Sequence, residues 1–256
     1  MHALVVVAHP ESRSFNAYLA GEAAAAWRAQ GHTAAVVDLY AEGFDAREAA
    51  WHYADRLDPS RFDAQREQRH HWQRGTLAPE IRRHLDLLHT ADALLLQFPL
   101  WWFGAPALLK GWIDRVFVYG GLYDSRRRHE HGVLRGRRAL LSVTTGSSAA
   151  ACAPDGREGD TRLLLWPLMY ALQYVGFDVL EPHLIHDVRG DLREADALRL
   201  DAQRRRQLET YRERLRDWPA WPSVRFNAAA DFDDGTTLKP DAPVHSPFIR
   251  HARRDG

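Results

Sequence analysis

The chain has 256 residues, enough for one large domain or two small ones with a substantial core. Its 34 basic and 34 acidic residues cancel, so no global charge draws it to nucleic acid or to an anionic membrane. Its one cysteine, Cys152, excludes an intrachain disulfide framework, and the short apolar run Ala3 to Ala8 lacks a basic flank; both lead to the expectation of a cytoplasmic protein with no signal peptide and no integral membrane segment.

Leu4-Val5-Val6-Val7-Ala8 is an unbroken apolar run bounded by Pro10, the pattern of a strand buried on both faces. Ser14 is placed as the N-cap of a helix in which Phe15, Leu19, Ala23 and Trp27 recur at helical spacing, and Gly31 ends it. Ala34 to Leu39 is a second strand. Residues 44–78 are polar and irregular and read as an insertion over the sheet, with short helices. Pro79 to His89 is a helix, Ala91 to Phe98 a third strand, and a helix runs from about Ala105 to Phe117. Ala139 to Thr145 is a fourth strand. Asp160 caps a helix that crosses Pro167, reaches Tyr174 and stops at Gly176. Phe177 to Leu180 is a short fifth strand, and Leu208, Tyr211 and Leu215 mark a last amphipathic helix.

This repeated β-α order predicts an α/β fold: a doubly wound, five-stranded parallel sheet in residues 1–218, with helices on both faces. Residues 219–256 are rich in proline, poor in aliphatics and without period, and read as an extended arm laid on a partner chain.

For strand order 2-1-3-4-5 a ligand lies beyond the carboxyl ends of the strands, between strands 1 and 3. Three loops meet there. His9 to Asn16 opens a helix, where free N–H groups and the helix dipole favour a phosphate. Pro99 to Gly104 places Trp101, Trp102 and Phe103 side by side, a surface for a planar ring. Thr144-Thr145-Gly146-Ser147 adds hydroxyls and a close backbone approach. Together they describe a phosphate end, a ring end and donors along a ring edge, which is a flavin site. A GxGxxG, a GxxxxGK[ST] and a GxSxG elbow are all missing, which disfavours a Rossmann dinucleotide site, a P-loop and a serine hydrolase. His70-His71 are adjacent and do not face one direction on a helix, and His129-Glu130-His131 has no third ligand in evidence, so no metal is expected. Arg126-Arg127-Arg128 is a solvated cluster or a contact for a cofactor phosphate, the latter favouring NADPH over NADH.

The segments AHPESRSFN (8–16), VVDLYAEGF (36–44), QFPLWWFGAPALLKGWIDRVF (97–117), SVTTG (142–146), LLWPL (164–168) and GFDVLEP (176–182) resemble the NAD(P)H:quinone oxidoreductase (DT-diaphorase) family of flavodoxin-like flavoproteins. The resemblance implies a homodimer with non-covalent FAD, FMN being the lesser alternative, and an active site at the subunit interface. It implies ping-pong hydride transfer from NAD(P)H to a quinone. Carried over by motif, His9, Ser14, Phe15 and Asn16 hold the pyrophosphate and ribityl chain. Pro99, Leu100, Trp101, Trp102, Phe103, Thr144, Thr145, Gly146 and Ser147 meet the isoalloxazine. Tyr123, with Trp102, Phe103 and Gly146, falls at the substrate pocket, and Asp63 falls near the adenine.

One departure stands out. Where the family carries a tyrosine and a histidine that steady charge on the reduced ring, this chain has Cys152 and Glu158. Arg157, a fixed positive charge, or a protonated Glu158 is expected to take over that role, with Cys152 lining the cofactor as packing. A second implication of the resemblance is an ancillary subunit of a potassium-efflux transporter.

Overall fold

A computed structural model describes residues 1–189 and 194–252 of the chain. Five parallel strands are stacked in the order β2-β1-β3-β4-β5: β1 (His2–Val7), β2 (Thr33–Asp38), β3 (Ala93–Pro99), β4 (Arg138–Thr144) and β5 (Asp178–Val179). The helices α1 (Phe15–Ala29), α2 (Ala64–Arg74), α3 (Pro79–Thr90), α4 (Ala107–Val116), α5 (Thr161–Tyr174) and α6 (Glu194–Arg216) connect or cover them. The order 2-1-3-4-5 and the parallel registers are those expected from the β-α repeat.

The fifth strand differs from the expected run Phe177 to Leu180. It is only two residues long, and the chain then passes Pro182 and pairs with β4 again as β6 (His183–Ile185). Proline has no N–H to give the ladder, so the edge strand is split around it.

Period-2 alternation along β1 builds two cores. Leu4, Val6 and Ala8 face α3, α4 and α5, while Ala3, Val5 and Val7 face α1 and α6. Trp27 and Tyr211 are fully buried in the second core, and Trp112 in the first. Ser14 does cap α1, its hydroxyl accepting from Ala17 N–H at 3.1 Å, and Asp160 caps α5.

The arm is less extended than expected. Residues 222–224 run beside β5, with Glu181 N–H donating to Pro222 O and Val224 N–H to Val179 O, both at 2.8 Å. The Arg138 guanidinium donates to the carbonyls of Trp218 and Trp221. Phe226 and Phe248 then pack on Trp166 of α5, at 5.0 and 6.0 Å between ring centres. Between them lies a small hairpin, β7 (Phe232–Asp233) with β8 (Thr237–Leu238). The arm therefore shields the sheet's open edge on its own subunit. No helix among the described residues is long and apolar enough to cross a membrane.

Candidate functional site

Strand order reverses at β1, so the loops leaving β1 and β3 diverge to opposite faces and open a crevice at their carboxyl ends. The turn after β3 forms the wall of this crevice. Trp101 N–H donates to Gly104 O and Gly104 N–H to Trp101 O, both at 3.0 Å, closing a two-residue turn with Trp102 and Phe103 at its centre. Their φ values are +49° and +62°. That is the left-handed geometry of a type I′ turn, for which Asn-Gly is the favoured pair. Two bulky aromatics in this conformation cost of order 1–3 kcal/mol each, a load that clusters at ligand sites. Nor do they recover it by burial: Trp102 is 96% exposed and Phe103 53%.

Opposite the turn, β4 ends in Thr144, and Thr145 follows it; both are buried. Leu100 N–H donates to Thr144 O at 2.8 Å and fixes the separation of the two loops. A Cβ built on Gly146 would meet only Val188 O, at 3.9 Å, so the space over this glycine is open to a ligand edge. Leu100, Trp102, Phe103, Gly146, Cys152 and Glu158 line one cavity of about 240 Å³, together with Thr145, Ser147, Thr161 and Leu164. The loop carrying Cys152 and Glu158 is held by Glu158 N–H to Ala151 O at 2.9 Å and Thr161 N–H to Cys152 O at 3.2 Å. Gly156 is obligatory in it, since a Cβ there would stand 2.3 Å from the carbonyl oxygens of Ala150 and Ala151. Arg157 is exposed and is not among the residues lining the cavity.

At the phosphate end, the first N–H groups of α1 have no intrahelical acceptor, as at every helix start. Three of the side chains there are already engaged. Ser14 caps the helix, and the His9 ring accepts from Glu11 N–H at 3.0 Å while lying 5.8 Å from the Trp101 ring. Asn16 is buried and joins three elements: Gln97 Nε2 donates to its Oδ1 at 2.8 Å, and its Nδ2 donates to Thr144 Oγ1 at 3.0 Å. Backbone amides, with half-buried Phe15 beside them, are thus what this end offers an anion.

Several contributors were not singled out from the sequence. Gln97 is the polar residue inside the apolar run Leu94 to Phe98, and that break in pattern was a readable signal. His186 and Arg189 carried none. Thr145 Oγ1 donates to Ser147 O at 2.9 Å, so it accepts from His186 Nδ1 at 2.9 Å. Burial favours the neutral form of that imidazole. Arg189 Nε donates to Gly146 O at 2.8 Å.

Two expected residues are not gathered here. Asp63 caps α2, accepting from Arg66 N–H at 3.1 Å, and lines a separate cavity of about 410 Å³ with Arg66, Arg69 and His70. Tyr123 lines a third, of about 430 Å³, edge-on to Tyr119 and Tyr174. The described residues hold no group of His, Cys, Asp and Glu arranged to ligate a metal.

A planar ring with a phosphate tail fits these features: an exposed, strained aromatic wall, an open glycine edge across from it, and a helix start below. The family model described as a flavodoxin-like fold matches residues 1–210. The ribosyldihydronicotinamide dehydrogenase [quinone] of Pongo abelii is 40% identical over 183 residues, 71% of this chain and 79% of that protein. The NAD(P)H dehydrogenase [quinone] 1 of Cavia porcellus is 37% identical over 188 residues, 73% and 68% of the two chains. A crystal structure from Klebsiella pneumoniae, provisionally described as a quinone reductase, superposes with a TM-score of 0.81 at 31% identity, covering 94% of this chain and 92% of that one. This chain belongs to the flavodoxin-like-fold family and, within it, to the enzymes grouped with the NAD(P)H:quinone dehydrogenases.

Proposed function

We propose that the chain is a cytoplasmic, FAD-dependent NAD(P)H dehydrogenase that reduces quinones or similar acceptors by two electrons, in a ping-pong cycle. The observation that carries this reading is the Trp102–Phe103 turn: left-handed, exposed, and facing the Gly146 edge across one cavity. Strain without burial is sustained where a ligand completes the packing.

A flavin in this crevice would supply a ring that accepts a hydride from a nicotinamide and passes it to a quinone. The chain's own contribution is positional. Trp101, Trp102 and Phe103 offer one aromatic wall, and the β4 loop from Thr144 to Ser147 offers backbone and hydroxyl groups on the ring's edge. The amide groups at the start of α1, with His9, Ser14, Phe15 and Asn16 around them, face the phosphates. His186, through Thr145, and Arg189, through the carbonyl of Gly146, hold the edge-binding loop in place. Since Glu158 lines the cavity and Arg157 does not, Glu158 is the better placed of the two to answer charge on the ring.

Tyr123 and Asp63 fit the reading through a second subunit. Each lines its own cavity, away from the Trp102–Gly146 crevice. In a homodimer with the site at the interface, one copy presents Tyr123 and the Asp63 region to the other copy's flavin. FAD in preference to FMN follows from the resemblance of the sequence motifs.

The test is anaerobic and separates the two half-reactions. Mixing the flavin-loaded protein with NADH or NADPH should bleach its visible absorbance, and menadione should restore it. Steady-state plots at several menadione concentrations should be parallel. A bleached protein that menadione cannot restore would refute quinone reduction, and intersecting plots would refute the ping-pong order.

A further inference from the structure

Four polar side chains meet inside the second core, between the sheet and α6 and behind the crevice. Strand register places three of them in one row: Gln97 of β3 is paired with Ser142 of β4, and Ser142 with His183 of β6. Period-2 alternation turns all three to the α1 and α6 side, because Leu95, Leu140 and Ile185, two residues away along each strand, belong to that core. Tyr211 of α6 closes over the row, its ring stacked on that of His183 at 4.9 Å with 23° between the planes. Gln97, Ser142 and Tyr211 are fully buried and His183 is 5% exposed.

Each of the four has a polar atom with no hydrogen-bond partner among the described residues: Gln97 Oε1, Ser142 Oγ, Tyr211 OH and His183 Nε2. An unpaired polar group in a core carries its full desolvation cost. Four in one layer call for a partner that the chain itself does not supply. Their roles can be assigned. The Arg214 guanidinium can only donate, and it approaches His183 Nδ1 at 3.3 Å, so that nitrogen accepts and the ring proton is on Nε2. Burial keeps the imidazole neutral and the Tyr211 phenol protonated. The row therefore runs from an unpaired N–H at His183, past two hydroxyls, to an unpaired carbonyl at Gln97.

The spacing suits a small bridging molecule. Neighbouring strands lie about 4.8 Å apart, and a water at hydrogen-bond length from two partners spans about 5.5 Å. Ser142 bears on the Tyr211 phenol, so the two hydroxyls are neighbours, yet neither is hydrogen-bonded. The four groups carry no formal charge and offer donors as well as acceptors, which matches water and not an ion. None of them lines the three cavities described above.

We propose that this row is a buried water site, in which ordered water joins His183 Nε2–H, Tyr211 OH and Ser142 Oγ to Gln97 Oε1. Its effect reaches the crevice. Gln97 donates from Nε2 to Asn16 Oδ1 at 2.8 Å, and Asn16 donates on to Thr144 Oγ1 at 3.0 Å. Water on Gln97 Oε1 fixes which way that amide faces, and so supports the floor of the crevice from behind. The site stands whatever ligand the crevice takes.

The experiment is thermal unfolding of the purified full-length protein and of Tyr211→Phe, Ser142→Ala and Y211F/S142A. Neither hydroxyl has a protein partner to lose, so the sign of the change is decisive. Deleting an unpaired hydroxyl relieves its desolvation cost and the variant melts higher; deleting one that water joins to its neighbours breaks a network and the variant melts lower. Each single variant should melt about 2–4 °C below wild type. The double variant should lose less than the two single losses summed. A high-resolution crystal structure of the wild-type protein should show water within hydrogen-bond distance of at least two of the four atoms. The side-chain amide resonance of Gln97 should shift in Y211F/S142A, whose substituted atoms make no hydrogen bond to it. Single variants that melt at or above wild type would overturn the proposal, as would a crystal structure in which the four groups bond one another with no water between them. An unshifted Gln97 amide would refute the support given to the crevice.

Discussion

Trp102→Asn separates stability from binding at the aromatic turn. Trp102 has φ +49° and is 96% exposed, so its indole contributes almost no burial to the flavin-free fold. A left-handed conformation costs an ordinary L-residue about 1–2 kcal/mol, and asparagine is among the few that tolerate it. Asparagine is also the favoured first residue of a type I′ turn. The substitution should therefore stabilise the flavin-free protein by about 1 kcal/mol, a rise of about 2–4 °C in melting temperature for a chain of this size. Flavin affinity should move the other way. Losing a stacked indole removes of order 100 Å² of apolar contact at about 25 cal/mol per Å², or roughly 2.5 kcal/mol, about sixtyfold in Kd. The assay pairs thermal unfolding of the flavin-free protein with a flavin fluorescence titration. A variant that melts lower than wild type would refute the strain argument. One that melts higher but binds flavin unchanged would remove Trp102 from the cofactor wall.

Further expectations follow from other parts of the structure. Asn16→Ala should cost about 2–3 kcal/mol in urea unfolding, because it strands buried Gln97 and Thr144 groups that now share its amide, and a double-mutant cycle with Thr144→Val should show coupling. Gly156→Ala should displace the loop carrying Cys152 and Glu158, with its Cβ in contact with two carbonyl oxygens, and should weaken flavin binding at least tenfold with a smaller effect on melting temperature. Burial, reinforced by Arg214, pushes the His183 imidazole down to about 3. The unfolded chain then binds a proton between about pH 6.5 and pH 3 that the folded one refuses, so stability falls as pH drops through that window, by up to about 1.4 kcal/mol per pH unit from this group. His183→Phe, which retains a ring against Tyr211, should flatten that slope by up to one proton, read by urea unfolding at pH 7 and pH 5. Glu158→Gln, which keeps the shape on the cavity lining but has no acid proton to give, should slow flavin reduction by NAD(P)H, whereas Arg157→Ala, off the lining, should leave it nearly unchanged.

Some of this was readable from the residues and some was not, for identifiable physical reasons. The apolar runs at Leu4 and Leu94 and the caps Ser14 and Asp160 announce themselves, because parallel strands buried on both faces and helix starts demand particular residue types. The three adjacent aromatics marked the crevice wall, but its left-handed turn was not legible, since Trp-Phe is not a turn-forming pair. Helix α2, AQREQRHHWQR, falls in the region expected to hold short helices, but its bounds were not legible because it shows too few apolar residues to set a period. Asp63 drew attention by position in a motif, while its simpler signal, an N-cap residue ahead of a helix, went unread. Strand β6 was masked by Pro182 and by the histidine that starts it. Asn16, expected at a ligand, is also the buried joint between β3, β4 and α1, a role that only the third dimension shows. The arm's composition predicted an extended chain without period, while the stacking of Phe226 and Phe248 on Trp166 depends on contacts far apart in sequence.

The central claim is that the crevice between the Trp101–Phe103 turn and Gly146 holds a flavin. Its most direct test is an absorbance scan of the purified protein, followed by chromatography of whatever denaturation releases. The account predicts a yellow protein, bands near those of oxidised flavin, and FAD in about equal amount to the chain. A colourless protein that takes up neither FAD nor FMN when either is added would contradict it.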